Sequence, residues 1–276
     1  MRTLSSGAVV RITPPDFKES RIDPAFTIAY DIGEHANTYV RLAQAYRSGG
    51  VNVRSPTFAP YGAELNRSVE LGLKSDLFDR RLRLNAAAYY SWIKNQQLTV
   101  QLNPQIPGVT DTLNAPGNAH IRGVEIELLA APVPGLQLGV NYGWQKASIS
   151  KDFIPKPGEN FHLPGVPRHS LSLVGDYTLP IEGFGTFIAH VDYSLTSRQW
   201  LTVRDLPLTS PAVQSKVDTA NARIGFEDIA VGSMRFSLSA IVNNIFDTAY
   251  PVFTAPGPWA IMNPPRHYAF EVGLRF

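Results

Sequence analysis

The sequence predicts an all-β protein: an antiparallel, up-and-down transmembrane β-barrel that is present only in part, with about eleven strands. Three observations predict this fold. Apolar and polar residues alternate with a period of two through most of the chain, as in strands with one apolar face. Several alternating segments approach the ~9–11 residues that a tilted strand needs to cross a bilayer, whereas soluble sheets favour strands of about five or six. Short and long connections also alternate, as they do in outer-membrane barrels.

Six strands are predicted in the first half of the chain. The fourth and the sixth alternate most cleanly: Leu84 and Trp92 fall on one face of the fourth, and Arg83 and Asn85 fall on the other. A helix would scatter such apolar residues around its circumference. The remaining four alternate less strictly but keep the same period. In order, the six strands cover residues 26–30, 38–46, 69–77, 82–92, 121–130 and 136–145.

Five more strands are predicted in the second half, at residues 171–179, 187–195, 222–227, 234–243 and 268–276. The last of them ends on an aromatic residue, with apolar residues at every second position before it. Few soluble domains end on an aromatic residue with no polar tail after it. We therefore expect this strand to carry the signal by which the barrel-assembly machinery takes up outer-membrane proteins. The predicted signal consists of Tyr268, Phe270, Val272, Leu274 and Phe276.

The connections between these strands alternate in length without exception. The short ones cover residues 31–37, 78–81, 131–135, 180–183 and 228–233. The long ones cover residues 47–67, 103–120, 147–169, 196–219 and 244–266. In an outer-membrane barrel the tight turns are periplasmic and the long loops are extracellular. A soluble β-sandwich, the main alternative fold, has Greek-key crossings and no reason to alternate in this way.

Composition excludes several other classes of protein. Charged residues make up 17% of the 276 residues, against roughly 25% in an average soluble domain, yet no apolar run reaches the ~18 residues that indicate a membrane-spanning helix. The 25 basic and 23 acidic residues form no basic stripe, so we expect no nucleic-acid partner. Without cysteine the chain has no disulfide scaffold and no cysteine metal site.

The polar faces of the predicted strands carry charged residues, which we expect to line a wet lumen. Opposite charges on neighbouring strands would form cross-strand ion pairs, although a simply solvated polar wall explains any one of them as well. The residues assigned to the lumen are Glu70, Lys74, Arg83, Arg122, Glu125, Glu127, Arg223, Glu227, Glu271 and Arg275.

Six segments, taken in order, resemble the TonB-dependent outer-membrane receptors, in the C-terminal half of their 22-stranded barrel. The most recognisable is Asn244-Ile245-Phe246-Asp247, where the penultimate strand of the family leaves the membrane. The resemblance covers nearly the whole chain from residue 22. The matching segments are YVRLAQAYRSGGVN (39–52), VELGLKSDLFDRRLRLNAAAYY (69–90), IRGVEIELLAAP (121–132), LPGVPRHSLSL (163–173), VNNIFDTAY (242–250) and HYAFEVGLRF (267–276).

This resemblance implies a receptor that binds an iron–siderophore or a similar scarce nutrient at its extracellular loops and takes it up by TonB-coupled transport. It also implies an outer-membrane location, contact with membrane lipid and lipopolysaccharide, and contact with TonB only through a plug region. Aromatic and cationic loop residues suit a ligand that is anionic and rich in apolar groups, although generic loop packing suits them too. The loop candidates are Arg54, Tyr61, Phe161, His162, Trp200, Arg204, Tyr250, Phe253 and Trp259.

The segments that the family places before these strands are not recognised, so we expect a fragment of a receptor with no plug domain. Residues 1–20 would form an extracellular loop or a strand stub, and residues 21–276 the barrel strands. The alternative is a self-contained passive pore of about twelve strands, completed by the N-terminal residues. An outer-membrane enzyme is a third hypothesis, but no catalytic or metal-binding motif is found. We expect no catalytic site, no cofactor and no metal.

Overall fold

The computed structural model describes residues 2–3, 9–10, 18–53, 59–100, 110–153, 161–203, 213–254 and 260–276. Every regular element in this part of the chain is a β-strand. A search of the same residues found no helix that is both long enough and apolar enough to span a membrane.

Eleven strands form one sheet, and each corresponds to a predicted strand. Most are longer than predicted, since polar residues at the ends of strands do not break backbone pairing. They are β1 (Ala25–Ile32), β2 (Ala36–Arg47), β3 (Glu64–Leu77), β4 (Leu82–Lys94), β5 (Asn118–Ala130), β6 (Leu136–Ser148), β7 (His169–Ile181), β8 (Gly185–Thr196), β9 (Val217–Val231), β10 (Met234–Asn243) and β11 (His267–Arg275).

The sheet is an antiparallel, up-and-down meander, because each strand pairs with the strands before and after it in sequence. The prediction of alternating connections is confirmed. The short turns are 33–35, 78–81, 131–135, 182–184 and 232–233, and the long connections are 48–63, 95–117, 149–168, 197–216 and 244–266. All the long connections therefore lie at one end of the sheet, called here the long-loop end. A β-sandwich is excluded, because its strands would divide between two sheets.

One face of the sheet is apolar and exposed. Leu42, Ile224 and Leu238 are each 50% exposed or more, and Phe270 is 81% exposed. The register places these residues at outward positions that alternate with polar ones along each strand. Such a surface is expected where lipid rather than water covers the strands.

The other face carries paired polar groups. Arg223 Nη2 lies 3.2 Å from Glu271 Oε2 across the intervening strand β10, and Arg83 Nε lies 2.7 Å from Asp76 Oδ1 on the neighbouring strand. Nine of the ten residues predicted to line the lumen share this face. The prediction for Arg122 is wrong: it lies directly opposite Tyr90 and Lys146 and therefore on the apolar side. Directly opposite residues of an antiparallel pair share a face.

Strand β9 departs most from its predicted range, which covered residues 222–227. It starts at Val217 and ends at Val231, with a bulge between Phe226 and Ile229. The bulge shifts the register by one residue, so that Phe226 and Ile229 both stay on the apolar face. Because a bulge interrupts the period of two, sequence alternation underestimates the length of such a strand.

Near the N-terminus, Arg2–Thr3 pairs with Val9–Val10 in a two-stranded ladder separate from the large sheet. Within the described residues, β1 pairs only with β2, β11 pairs only with β10, and the two edges do not pair with each other. The division into residues 1–20 and 21–276 stays a prediction.

Candidate functional site

Three long connections pack together beyond the ends of the strands. Leu98 and Val100 are 3% exposed and Ala115 is fully buried, all in the connection between β4 and β5. These three form a small apolar core with partly buried residues of the connections that follow β6 and β8. The residues that these two connections contribute are Ile149, Phe153, Phe161, Leu163 and Val203, and Leu113 of the β4–β5 connection also packs against the core. Full burial stabilises a side chain such as Leu98 or Val100 by about 1.5–3 kcal/mol, so this core holds the loops together.

Phe161 and His162 lie at the edge of this core. The ring of Phe161 packs edge-on against Phe153, with centroids 4.7 Å apart. The next residue, His162, stacks flat on Trp200, with ring centroids 3.4 Å apart and planes only 3° from parallel. Its backbone N–H donates to the carbonyl of Val203 over 2.7 Å. Two candidates from the β6–β7 connection and one from the β8–β9 connection therefore come together.

Backbone contacts hold Trp200 from two sides. It lies in the short strand Gln199–Trp200, which pairs with Val213–Gln214. On the other side, Pro164 forms a parallel bridge with it, and the N–H of Gly165 donates to its carbonyl over 2.9 Å. The backbone of Trp200 is thus held in place and its ring packs on His162, which lowers the entropy cost of ordering this residue when a ligand binds.

Two arginines complete this site, which we call the aromatic–guanidinium cavity. The guanidinium carbon of Arg198 lies 5.5 Å from the centroid of the Trp200 ring, a cation–π distance. Arg168 also lines the cavity, which has a volume of about 570 Å³. A ligand with flat, delocalised groups and negative charge would find both stacking surfaces and cations here. The sequence reasoning missed both arginines, although Arg198 is only two residues from Trp200.

The remaining loop candidates lie elsewhere. Tyr61 is in a small hairpin of the β2–β3 connection, and it does not line the aromatic–guanidinium cavity. The backbone N–H of Tyr250 donates to Asn263 Oδ1 over 2.8 Å, within the β10–β11 connection. Strand 251–254 contains Phe253, whose side chain lies outside the described residues, as do Arg54, Arg204 and Trp259.

The predicted assembly signal lies on the apolar face of β11. Tyr268, Phe270, Val272 and Leu274 pair with outward residues of β10, and each is 47% exposed or more. Phe276 follows the strand and is 94% exposed. This placement satisfies the alternation on which the signal was predicted, and its role in assembly stays a prediction.

A second cavity of about 530 Å³ lies on the polar face of the sheet. The hydroxyl of Tyr39 donates to Glu70 Oε1 over 2.7 Å, and Asn85 Nδ2 donates to Glu127 Oε2 over 2.8 Å. These bonds join neighbouring strands across the inner wall. The part of the chain that the structure describes contains no group of three or more His, Cys, Asp or Glu residues arranged to hold a metal ion.

The family model described as "TonB dependent receptor-like, beta-barrel" matches residues 3–245. The metal-pseudopaline receptor CntO of Pseudomonas aeruginosa is 24% identical over 254 residues, which are 92% of this chain and 33% of that protein. The catecholate siderophore receptor Fiu of Escherichia coli is 24% identical over 80% of this chain and 28% of its own length. The chain thus spans about a third of the length of the curated relatives it matches.

Solved structures show the same fold. The ferric yersiniabactin uptake receptor FyuA of Yersinia pestis has a TM-score of 0.69 and 22% identity, over 91% of this chain and 36% of its own. The ferripyoverdine receptor of the outer membrane of Pseudomonas aeruginosa, bound to ferripyoverdine, has a TM-score of 0.67 and 17% identity, over 92% of this chain and 33% of its own.

These relatives are receptors rather than enzymes, and the comparisons do not favour the alternative of a self-contained pore of about twelve strands. The match to the family model, over residues 3–245, covers ten of the eleven strands of the sheet. The chain belongs to the TonB-dependent receptor family, as part of its outer-membrane β-barrel.

Proposed function

We propose that this chain forms one wall of a receptor that takes up ferric siderophores, with the chelate bound at the long-loop end. The aromatic–guanidinium cavity carries the proposal. His162 and Trp200 offer a flat stacked surface, and Arg198 places a cation against it. Ferric complexes of catecholates and related chelators combine ring surfaces with negative charge, which matches this lining.

The names of the relatives support the same ligand class. They include receptors for ferric pyoverdine and for catecholate siderophores, and the metal-pseudopaline receptor. The described lining of the cavity has cations at Lys146, Arg168 and Arg198 and no carboxylate, which fits an anionic chelate better than a neutral carbohydrate.

In the whole receptor, we propose that uptake is powered through TonB acting on a plug, and that the polar wall around Glu70 and Glu127 faces that plug. Residues 21–276 would supply the barrel strands, and residues 1–20 an extracellular loop or strand stub. The barrel-assembly machinery would insert the chain by recognising β11, and the exposed rings of Tyr268 and Phe270 suit that role.

The test is a binding titration of the refolded full chain in detergent, followed by tryptophan fluorescence. The probes are a ferric triscatecholate, a ferric trihydroxamate and the iron-free chelators. Arg198→Gln should weaken binding of the preferred ferric chelate about fivefold, because one cation–π partner is worth about 1 kcal/mol, and Trp200→Ala should weaken it further.

The matched control is Arg235→Gln, which removes a cation at the opposite end of the sheet, beside the turn at 232–233. It should leave the affinity unchanged. Equal binding by wild type and both cavity variants, or equal affinity for ferric and iron-free chelators, would contradict the proposal.

A further inference from the structure

The charged residues on the outward face of β3, β4, β5 and β6 have an unusual distribution. Four outward positions on these strands are charged, all four are basic, and all lie near the long-loop end. No aspartate or glutamate occupies an outward position on the described residues of the same strands. We call this set the basic band: Arg67, Lys94, Arg122 and Lys146.

The register brings these four side chains together. Arg122 lies directly opposite Lys146 on β6, and opposite Tyr90 on β4. Arg67 lies opposite Trp92, two residues before Lys94. Four adjacent strands are separated by three gaps of about 4.8 Å, so the band extends roughly 15 Å along the surface. All four residues are exposed.

Aromatic residues are interleaved with the basic band: Trp92 lies directly opposite Arg67, and Tyr90 lies directly opposite Arg122. Tyr90 and Trp92 pack edge to face with centroids 4.9 Å apart, and the Tyr90 hydroxyl bonds to His120 Nδ1 over 3.0 Å. Trp144 occupies the outward position two residues before Lys146. Such aromatic girdles mark the interface between hydrocarbon and headgroups. The basic band therefore lies at the level of the lipid headgroups on the extracellular side.

The described residues leave this charge without a carboxylate partner. Among the described residues, Lys94, Arg122 and Lys146 form no ion pair, and Arg67 donates only to the neutral Gln44 Oε1, over 3.0 Å. Like charges directly opposite each other on neighbouring strands are destabilising. By contrast, Lys216 at the same end of the sheet has its own counter-charge, since Asp218 Oδ1 lies 3.5 Å away.

We propose that the basic band binds the phosphate groups of a lipopolysaccharide-class glycolipid in the outer leaflet. Guanidinium and ammonium groups at the headgroup level pair well with phosphate oxygens, and Trp144, which lies closer to the middle of the membrane, would contact the acyl chains. The inference gives the predicted lipid partner a site. Lys146 also lines the aromatic–guanidinium cavity, whereas Arg67, Lys94 and Arg122 do not. The proposal rests on the outer-membrane location of the family and not on the chelate that the loops bind, and Lys94→Gln tests it away from that cavity, so the siderophore titration and the lipid experiment fail separately.

The experiment measures lipid binding to the refolded full chain in a neutral detergent by native mass spectrometry. The probes are bisphosphorylated lipid A, the same lipid with its phosphates removed, and inorganic phosphate. The double variant Arg122→Gln/Lys146→Gln should bind lipid A about thirtyfold more weakly, at about fivefold for each basic residue near a membrane surface. Lys94→Gln alone should lose about fivefold and serves as a second variant if the double variant does not fold.

The matched control is Lys216→Gln, which removes a cation that already has a carboxylate partner. It should change the affinity for lipid A less than twofold, and removal of the phosphates should abolish the difference between the wild type and the double variant. Unchanged binding by Lys94→Gln and the folded double variant would overturn the proposal. Displacement of lipid A by an equal concentration of inorganic phosphate would also overturn it, because a free anion would then suffice.

Discussion

Replacing Asn244 by alanine should destabilise the turn that follows β10 at the long-loop end of the sheet. Asn244 is 7% exposed and begins the β10–β11 connection. Its Nδ2 donates to the carbonyls of Thr248 and Pro264 over 3.0 and 3.2 Å, and its Oδ1 accepts the N–H of Thr248 over 3.0 Å. One side chain thus ties the start of this long connection to the segment that leads into β11.

The expected loss follows from these contacts. Three hydrogen bonds contribute about 1 kcal/mol each. Water that enters the opened turn can bond to the freed backbone groups, so the net loss is smaller than this sum. Asn244 also has a φ of 52°, which asparagine tolerates and alanine disfavours by about 1 kcal/mol. We expect Asn244→Ala to lower the free energy of unfolding by about 3 kcal/mol. Asn244→Gly should lose about 1 kcal/mol less, because glycine removes the backbone strain.

The assay is urea unfolding of the refolded chain in lipid vesicles, followed by tryptophan fluorescence. The neighbouring Asn243 is the control, because its side chain makes a single exposed hydrogen bond, to His267 Nε2. Asn243→Ala should cost about 0.5 kcal/mol. Equal losses for Asn243→Ala and Asn244→Ala would refute the reasoning.

The same unfolding assay tests two other features. Gly33→Ala should cost about 1 kcal/mol, because its φ is +69° in open space, whereas Gly135→Ala should cost about 3 kcal/mol because its Cβ would also press on a backbone carbonyl of β7. Similar losses of unfolding free energy for Gly33→Ala and Gly135→Ala would contradict the role given to this backbone contact. Arg223→Gln breaks the exposed ion pair with Glu271 and should lower the free energy of unfolding by about 1 kcal/mol. The loss should be smaller in high salt, because salt screens exposed charges. Arg235→Gln, which removes one of two like charges facing each other, should cost nothing; a loss equal to that of Arg223→Gln would refute the ion-pair explanation.

The period of two and the alternating connections were enough to predict all eleven strands and their order. Both signals are local, because each depends on residues one or two positions apart and on where polar runs fall. The bulge at Phe226 was not predictable in this way, since it interrupts the period itself. The error on Arg122 is different: counting in steps of two from Val124 places it on the apolar side, and its charge alone suggested the lumen.

The candidate site was predicted only in part. Aromatic residues in long loops indicated Phe161, His162 and Trp200, but nothing local to the sequence says that two connections meet at one stacked pair. That contact depends on the packing of loops around Leu98 and Val100, which are distant in sequence from Trp200. Tyr61 has the same residue chemistry and yet lies in another hairpin.

The most direct test of the transmembrane sheet uses the absence of cysteine from the chain, which makes single-cysteine labelling simple. Val140→Cys and Asn141→Cys would place a fluorescent label at adjacent positions in the middle of β6, on the apolar and the polar face respectively. With the chain refolded in vesicles that contain a quencher attached to lipid acyl chains, the label at 140 should be strongly quenched and the label at 141 should not. Equal quenching at the two positions would contradict the account.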